Sequence, residues 1–258
     1  MELSTVKYTV DENVAIIALN RPKAMNSLNQ QIFVDLTKAF EAARDDANVR
    51  CVILTGEGRC FCAGGDIAEM KGITTEEAFT NFMNDAGAFT LLLNNFPKPV
   101  VGAAHGAIAG AGTSLVMACD IALVADNASF IVAFGQVGLV PDCACHWLLP
   151  RVVGPNMAKE LMLTQRPVKA DEMKTLGIAN RIVAADEMMD EAMKLAKKIA
   201  RGPANCYSMS KALFNKAHET SLDELLKEET AAQASARMNE NAEEGLGAFL
   251  EKRKAAFK

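Results

Sequence analysis

The chain has 258 residues, 50% of them hydrophobic and 23% charged, a balance that excludes a disordered polyelectrolyte and a disulfide-stapled miniprotein. At roughly 150 residues per domain, this length suits one large domain or a core with an appendage. Twenty-seven Lys and Arg against 32 Asp and Glu give a net charge of −5 with no long block of like charge, so nucleic acid is not an expected partner.

The opening alternates, Val6 to Val10 and then Val14 to Leu19 around Asp11-Glu12-Asn13, which is the pattern of a hairpin. Ser27 and Gln30 form a capping box, and Ile32, Phe33, Leu36, Ala39, Phe40 and Ala43 recur on one helical face. Val49 to Leu54 is a short apolar run and predicts a buried strand. A second capping box, Thr74 to Glu77, opens a helix carrying Phe79, Phe82, Met83, Ala86, Phe89 and Leu93, stopped by Pro97 and Pro99. Beyond the prolines the spacing predicts a strand (100–104), a glycine-rich turn, a short helix (about 114–119) and a strand (121–125), the alternation of an α/β protein. Pro155 suits a first helical position, a helix is expected over 186–200, and Ser221 with Glu224 caps a long helix towards Met238. A boundary near Gly202-Pro203 divides an α/β core, 1–202, from a C-terminal helical region, 203–258.

Seven cysteines without framework spacing, and an N-terminus lacking a basic flank and an apolar stretch, predict a reduced, cytoplasmic chain. Val100 to Cys119 is the one membrane-like stretch, and its four glycines and many alanines leave it too weakly hydrophobic, so no membrane partner is expected.

Two glycine-rich segments follow buried strands: Cys60-Phe61-Cys62-Ala63-Gly64-Gly65-Asp66 and Gly106-Ala107-Ile108-Ala109-Gly110-Ala111-Gly112. Each then opens a helix, where backbone N–H groups lack intrahelical partners. Two such turns converging would make an oxyanion hole, able to stabilise an enolate without reorganising. Taken singly, each segment also suits a tight strand-to-helix turn and nothing more.

Asn20-Arg21-Pro22, Ala24-Met25-Asn26-Ser27-Leu28, Cys60 to Ile67, Lys98 to Gly106, Cys119-Asp120-Ile121 and Gly138-Leu139-Val140-Pro141-Asp142, in this order, resemble the motifs of the crotonase (enoyl-CoA hydratase/isomerase) superfamily. The resemblance covers nearly the whole chain. It implies a spiral of ββα units with a C-terminal helical trimerisation region, homotrimers or hexamers, an acyl-CoA thioester as ligand, and no cofactor besides the CoA of the substrate. Carried over by position, it gives the backbone N–H groups of Ala63 and Ala111 to the thioester oxygen. Ala24, Asp66 and Ile67 fall along the adenine and pantetheine path, with Gly64 and Gly110 in the turns beside them. Ser114 and Phe134 stand where hydratases of the family have two glutamates. Syn hydration needs groups that orient a water and pass its proton, and this pair does not supply them.

Asp142 remains. Locally, an aspartate after a proline is a turn residue or N-cap. The run 130–154, however, is similar to the enoyl-CoA isomerase branch, including epoxyphenylacetyl-CoA isomerase, which implies an aspartate that moves a proton between two carbons. An apolar site would raise its pKa towards the working pH. Cys145 and His146 depart from the small residues of the family and are expected to narrow the acyl pocket or add a polar group to it.

Cys143-Ala144-Cys145-His146 also raises a metal reading, but a second knuckle is missing, so no metal is expected. His105 is expected in the core or on a backbone carbonyl, His218 on a solvated helix face, and Met188, Met189 and Met193 as core filler. The rival of a different class is a dinucleotide-binding domain built on Val100–Ala104, Gly110-Ala111-Gly112 and Asp126, against which stand the missing third glycine and the short crossover. A serine hydrolase lacks its Gly-x-Ser-x-Gly. An acyl-CoA binder without turnover, or a hydratase using other groups, would share the fold.

Overall fold

The computed structural model describes residues 2–258. The alternating N-terminal segment forms an antiparallel hairpin of β1 (Val6–Asp11) and β2 (Val14–Leu19), with Val6 opposite Leu19. α1 (Gln30–Asp45) follows, and its periodic face, from Ile32 to Ala43, is buried. β3 (Cys51–Gly56) then lies parallel to β2, and every residue in it is buried, which is why the run reads as continuously apolar rather than alternating. α2 (Ile67–Gly72) and α3 (Glu76–Asn94) lead to β4 (Val100–Ala104), parallel to β3 and likewise buried throughout. Phe40 of α1 meets Phe89 of α3 and Phe96 edge-on, with ring centroids 5.5 and 5.1 Å apart.

From β4 onward the chain repeats a unit of two strands and a helix. β5 (Ala107–Ala109) leaves the first sheet and precedes α4 (Ala111–Met117). β6 (Ile121–Ala125) returns to it, β7 (Ser129–Ile131) leaves again, and α5 (Cys145–Val153) follows. α6 (Pro155–Thr164), β8 (Val168–Lys169), α7 (Ala170–Thr175), β9 (Arg181–Val183) and α8 (Met188–Ala200) complete the core. The strands form a six-stranded sheet of order β1-β2-β3-β4-β6-β9 and a three-stranded sheet of order β5-β7-β8. α8 packs across β2, β3, β4 and β6. This two-sheet spiral overturns the dinucleotide-binding alternative. A strand of the second sheet intervenes between β4 and α4, so Gly110-Ala111-Gly112 does not join a sheet strand directly to a crossover helix.

Past Pro203 come α9 (Ala204–Lys216), α10 (Leu222–Arg237) and α11 (Glu240–Leu250). α9 is tied to the core by Lys211 Nζ on Asp120 Oδ2 at 2.8 Å and Asn215 Nδ2 on Asn94 O at 2.7 Å. Trp147 Nε1 donates to Glu219 Oε1 at 2.6 Å just beyond it. Among the described residues no helix is long and apolar enough to cross a membrane, and the stretch 100–119 is divided between β4, β5 and α4.

Two of the expected caps shift. α1 is capped by Asn29, whose Oδ1 accepts from Ile32 N–H at 3.0 Å, while Ser27 Oγ donates to Asp66 at 3.3 Å. α3 is capped by Thr75, not Thr74, with Oγ1 accepting from Ala78 N–H at 3.2 Å. Ser221 caps α10 as expected, its Oγ accepting from Glu224 N–H at 3.3 Å. α4 begins three residues before its expected start, because Gly110, at φ 50°, closes the turn there.

Candidate active site

Asn26 organises the first glycine-rich turn. It is fully buried, in the left-handed region at φ 55°, and spends its whole amide on backbone. Its Oδ1 accepts from Arg21 N–H at 2.9 Å, and its Nδ2 donates to Glu57 O at 2.9 Å and Cys60 O at 2.8 Å. The segment 20–28 is thereby clamped against the loop leaving β3. Further backbone bonds hold that loop: Leu28 N–H to Gly64 O at 2.7 Å, Asp66 N–H to Leu28 O at 2.9 Å, and Ala109 N–H to Cys62 O at 2.9 Å.

These bonds correct one expected donor. The Ala63 N–H points at Met25 O, 3.0 Å away, and is spent there. The free N–H of this turn belongs to Gly65, which donates to no acceptor among the described residues. In the second turn Gly110 N–H is taken by Ile131 O at 3.1 Å, whereas Ala111, the first residue of α4, keeps its N–H free as expected of a helix start. Gly65 and Ala111 both line a cavity of about 210 Å³.

The walls of this cavity are mostly apolar, with Phe33, Phe82, Met83, Phe134 and Leu139 among them, and among the described residues Asp142 brings the only charged side chain. Its Oδ1 is buried with no hydrogen-bond partner among the described residues. Burial pushes the Asp142 carboxyl above its ordinary range, while the Cys143 thiol and the His146 charge pull weakly the other way. The backbone beneath it is braced, since Asp142 O accepts from Ser114 Oγ at 3.2 Å and from Cys145 N–H at 2.9 Å. Cys143 and Ala144 follow in the left-handed region at φ 47° and 60°, a conformation that costs a residue with a Cβ about 1–2 kcal/mol.

The other expected site residues divide. Gly64 and Phe134 line the cavity, as do Gly110 and Ile67, the last half exposed at the start of α2. Asp66 caps α2 and pairs with Arg21 Nη2 at 2.8 Å, so it positions the turn, and Ala24 sits in a short 3-10 turn off the cavity. Ser114 is fully buried behind the wall. His146 and Cys145 do not reach the cavity: His146 is exposed on α5 and Cys145 is buried beneath it, leaving Cys143 as the thiol in the wall. The three residues diverge, and among the described residues no His, Cys, Asp and Glu side chains gather as a metal site. His105 Nε2 donates to Gly58 O at 3.0 Å, and Met188 is buried in the core with Met189 and Met193 packed on it.

Sequence reading missed Gly65, Asn26 and Cys143. For Asn26 a signal existed, since asparagine is a residue that tolerates left-handed backbone. For Gly65 there was none, because the partner that removes Ala63 is a carbonyl brought in by the fold.

The sequence profile of the enoyl-CoA hydratase/isomerase family matches residues 9–258. The crotonyl-CoA hydratase of Syntrophomonas wolfei is 36% identical over 248 residues, 96% of this chain and 95% of that one. The 1,2-epoxyphenylacetyl-CoA isomerase of Escherichia coli is 35% identical over 251 residues, 96% of each. A crystal structure of an enoyl-CoA hydratase from a Polaromonas species superposes with a TM-score of 0.95 at 30% identity, covering 98% of this chain and 99% of the other. Fold, paired turns and sequence together make this chain a member of the enoyl-CoA hydratase/isomerase family, with the crotonase fold.

Proposed function

We propose that the protein shifts a double bond in an enoyl-CoA thioester, with Asp142 as the single acid/base. The observation that carries this reading is the buried Asp142 Oδ1, which among the described residues has no hydrogen-bond partner and is the one charged group in a cavity whose lining includes two free backbone amides.

The chemistry then follows from the groups present. In a 3-enoyl thioester the Asp142 carboxylate takes a proton from C2, and the electron pair moves into the thioester carbonyl. The resulting oxyanion is held by the N–H groups of Gly65 and Ala111, fixed by the turns and therefore needing no reorganisation. The protonated Asp142 returns the proton to C4, giving the 2-enoyl product. One carboxylate suffices, and an apolar wall raises its pKa so that both directions of transfer are accessible. Hydration would need a second group to orient water, and Ser114 is sealed behind the wall while Phe134 presents a ring.

The same reading makes CoA part of the substrate, with no separate cofactor, and the seven free cysteines support a reducing, cytoplasmic setting. It also assigns the helical region 203–258 to assembly as a homotrimer or hexamer. The apolar side chains that α9–α11 leave in solvent support this, Phe214 at 77% and Phe249 at 81% exposure among them. The test is a pair of assays, 3-enoyl-CoA isomerisation and crotonyl-CoA hydration, on wild type and Asp142→Asn. Rapid hydration without isomerisation would overturn the isomerase assignment in favour of a hydratase.

A further inference from the structure

Behind the cavity holding Asp142 lies a second, larger one of about 770 Å³, bounded by α3, α5 and α9. Consecutive residues face opposite ways across the wall between them. Ala86 and Cys143 line the small cavity, and their neighbours Gly87 and Ala144 line the large one, with Thr90 beside them. Ala86, Thr90 and Cys143 are all buried, and the Thr90 hydroxyl is held by Ala86 O at 2.9 Å. The wall is thus built from one turn of α3 and one side chain from the loop before α5. That side chain is Cys143, on backbone whose positive φ would suit a residue without a Cβ.

We infer that Cys143, backed by Thr90, is the stop that sets acyl-chain length, making this a short-chain enzyme whose acyl pocket would otherwise run on into the second cavity. This deepens the acyl-CoA reading above and rests on it. The size argument is direct. An apolar cavity of about 150 Å³ holds one benzene, so 210 Å³, part of it spent on the thioester, takes an acyl group of about four to six carbons. A longer chain meets the Cys143 sulfur and the α3 backbone instead of open space. Beyond the wall, Leu91, Phe96 and Leu148 offer an apolar surface able to receive further methylenes.

The experiment is calorimetric titration of the intact protein with unreactive saturated thioesters, from butyryl- through hexanoyl-, octanoyl- and decanoyl- to dodecanoyl-CoA. Wild type should bind hexanoyl-CoA at least about tenfold more tightly than decanoyl-CoA, because one methylene too many in a closed pocket is worth about 10–200-fold. Cys143→Gly should shrink the decanoyl-to-hexanoyl ratio of dissociation constants by about tenfold or more on the same scale. Thr90→Ala thins the wall from the α3 side and should move the ratio in the same direction, providing a second route if the turn does not tolerate glycine. Length-independent binding by wild type, or folded variants that keep the wild-type ratio, would overturn the stop while leaving the acyl-CoA reading intact. Failure of wild type to bind any of the five would overturn both.

Discussion

Gly64 and Gly110 touch: a Cβ built on Gly110 would stand 3.4 Å from Gly64 Cα, and one built on Gly64 would stand 3.0 Å from Ala109 O. Both residues have positive φ, 101° and 50°, so the two glycine-rich turns meet through backbone alone. This contact brings the amides of Gly65 and Ala111 to one cavity, and it gives glycine at these positions a reason beyond tight turning.

Gly64→Ala should therefore cost more than Gly110→Ala. Each change forces a Cβ onto backbone of positive φ, and the Gly64 change adds the close approach to Ala109 O. Thermal denaturation should show both variants melting below wild type, with Gly64→Ala lower, and turnover should fall along with stability because the amides are displaced. Equal melting temperatures for wild type and Gly64→Ala would refute the contact.

Asp142 should trade stability for activity. Its folded pKa is raised above the unfolded value of about 3.9, so between the two the native state binds more protons than the unfolded chain. Stability from this group is present below the unfolded pKa and is lost as pH rises through the folded one. At pH 7–8 the carboxylate is a net liability, and Asp142→Asn should melt at or above wild type while kcat drops about 10²- to 10⁴-fold. In wild type, kcat/KM should fall on acidification with an inflection above the ordinary carboxylate range. An inflection at pH 4 or below, or a variant that is both inactive and unstable at pH 8, would contradict this account.

How much of this arrangement was legible depends on how local its causes are. β3 and β4 announce themselves because burial on both faces favours apolar residues at nearly every position, the buried Thr55 being satisfied by Ala103 O, and α1 because one face alone is buried. Asp142 could be singled out by its family motif, yet its orphaned oxygen is visible only once Phe82 and Phe134 close around it. Cap positions slipped where several cap-forming residues adjoin: Ser27 and Asn29 both qualify locally, and the choice falls to Asn29 because Asp66, from a distant turn, takes Ser27. Ala63 was misassigned for the same kind of reason, since nothing in its own segment reveals that Met25 O faces it. His146 and Cys143 exchange roles because two left-handed residues turn the chain before α5 begins.

Asn26→Ala should be among the most damaging single changes outside the hydrophobic core. It strands the Arg21 amide and the Glu57 and Cys60 carbonyls, the last beside a buried loop, at about 1–3 kcal/mol for each group left unsatisfied. It also puts alanine in left-handed backbone. Denaturant titration should show a lowered midpoint with an unchanged slope, and binding of a CoA thioester should weaken even where the variant remains folded, because the turn bearing Gly65 loses its clamp. A midpoint within error of wild type would mean that the clamp is redundant.

A carboxylate placed at Ser114 should not by itself confer hydration. Its Oγ reaches Asp142 O at 3.2 Å from a fully buried position outside the cavity lining, so Ser114→Ala removes one hydrogen bond, about 0.5–1.5 kcal/mol, and relaxes the backbone that aims Asp142. Isomerase turnover should fall modestly, with kcat affected more than KM. Ser114→Glu, which restores the carboxylate found in hydratases, should not restore hydration. Burial behind the wall and a neighbouring carboxyl already pushed up by burial would both favour the neutral form of the new side chain, and Phe134 would still occupy the place of its partner. Crotonyl-CoA hydration, followed by loss of enoyl absorbance, should therefore stay at the wild-type level while the protein becomes less stable. A large gain in hydration by Ser114→Glu alone would show that position 114 reaches the substrate and that Phe134 is no barrier to water.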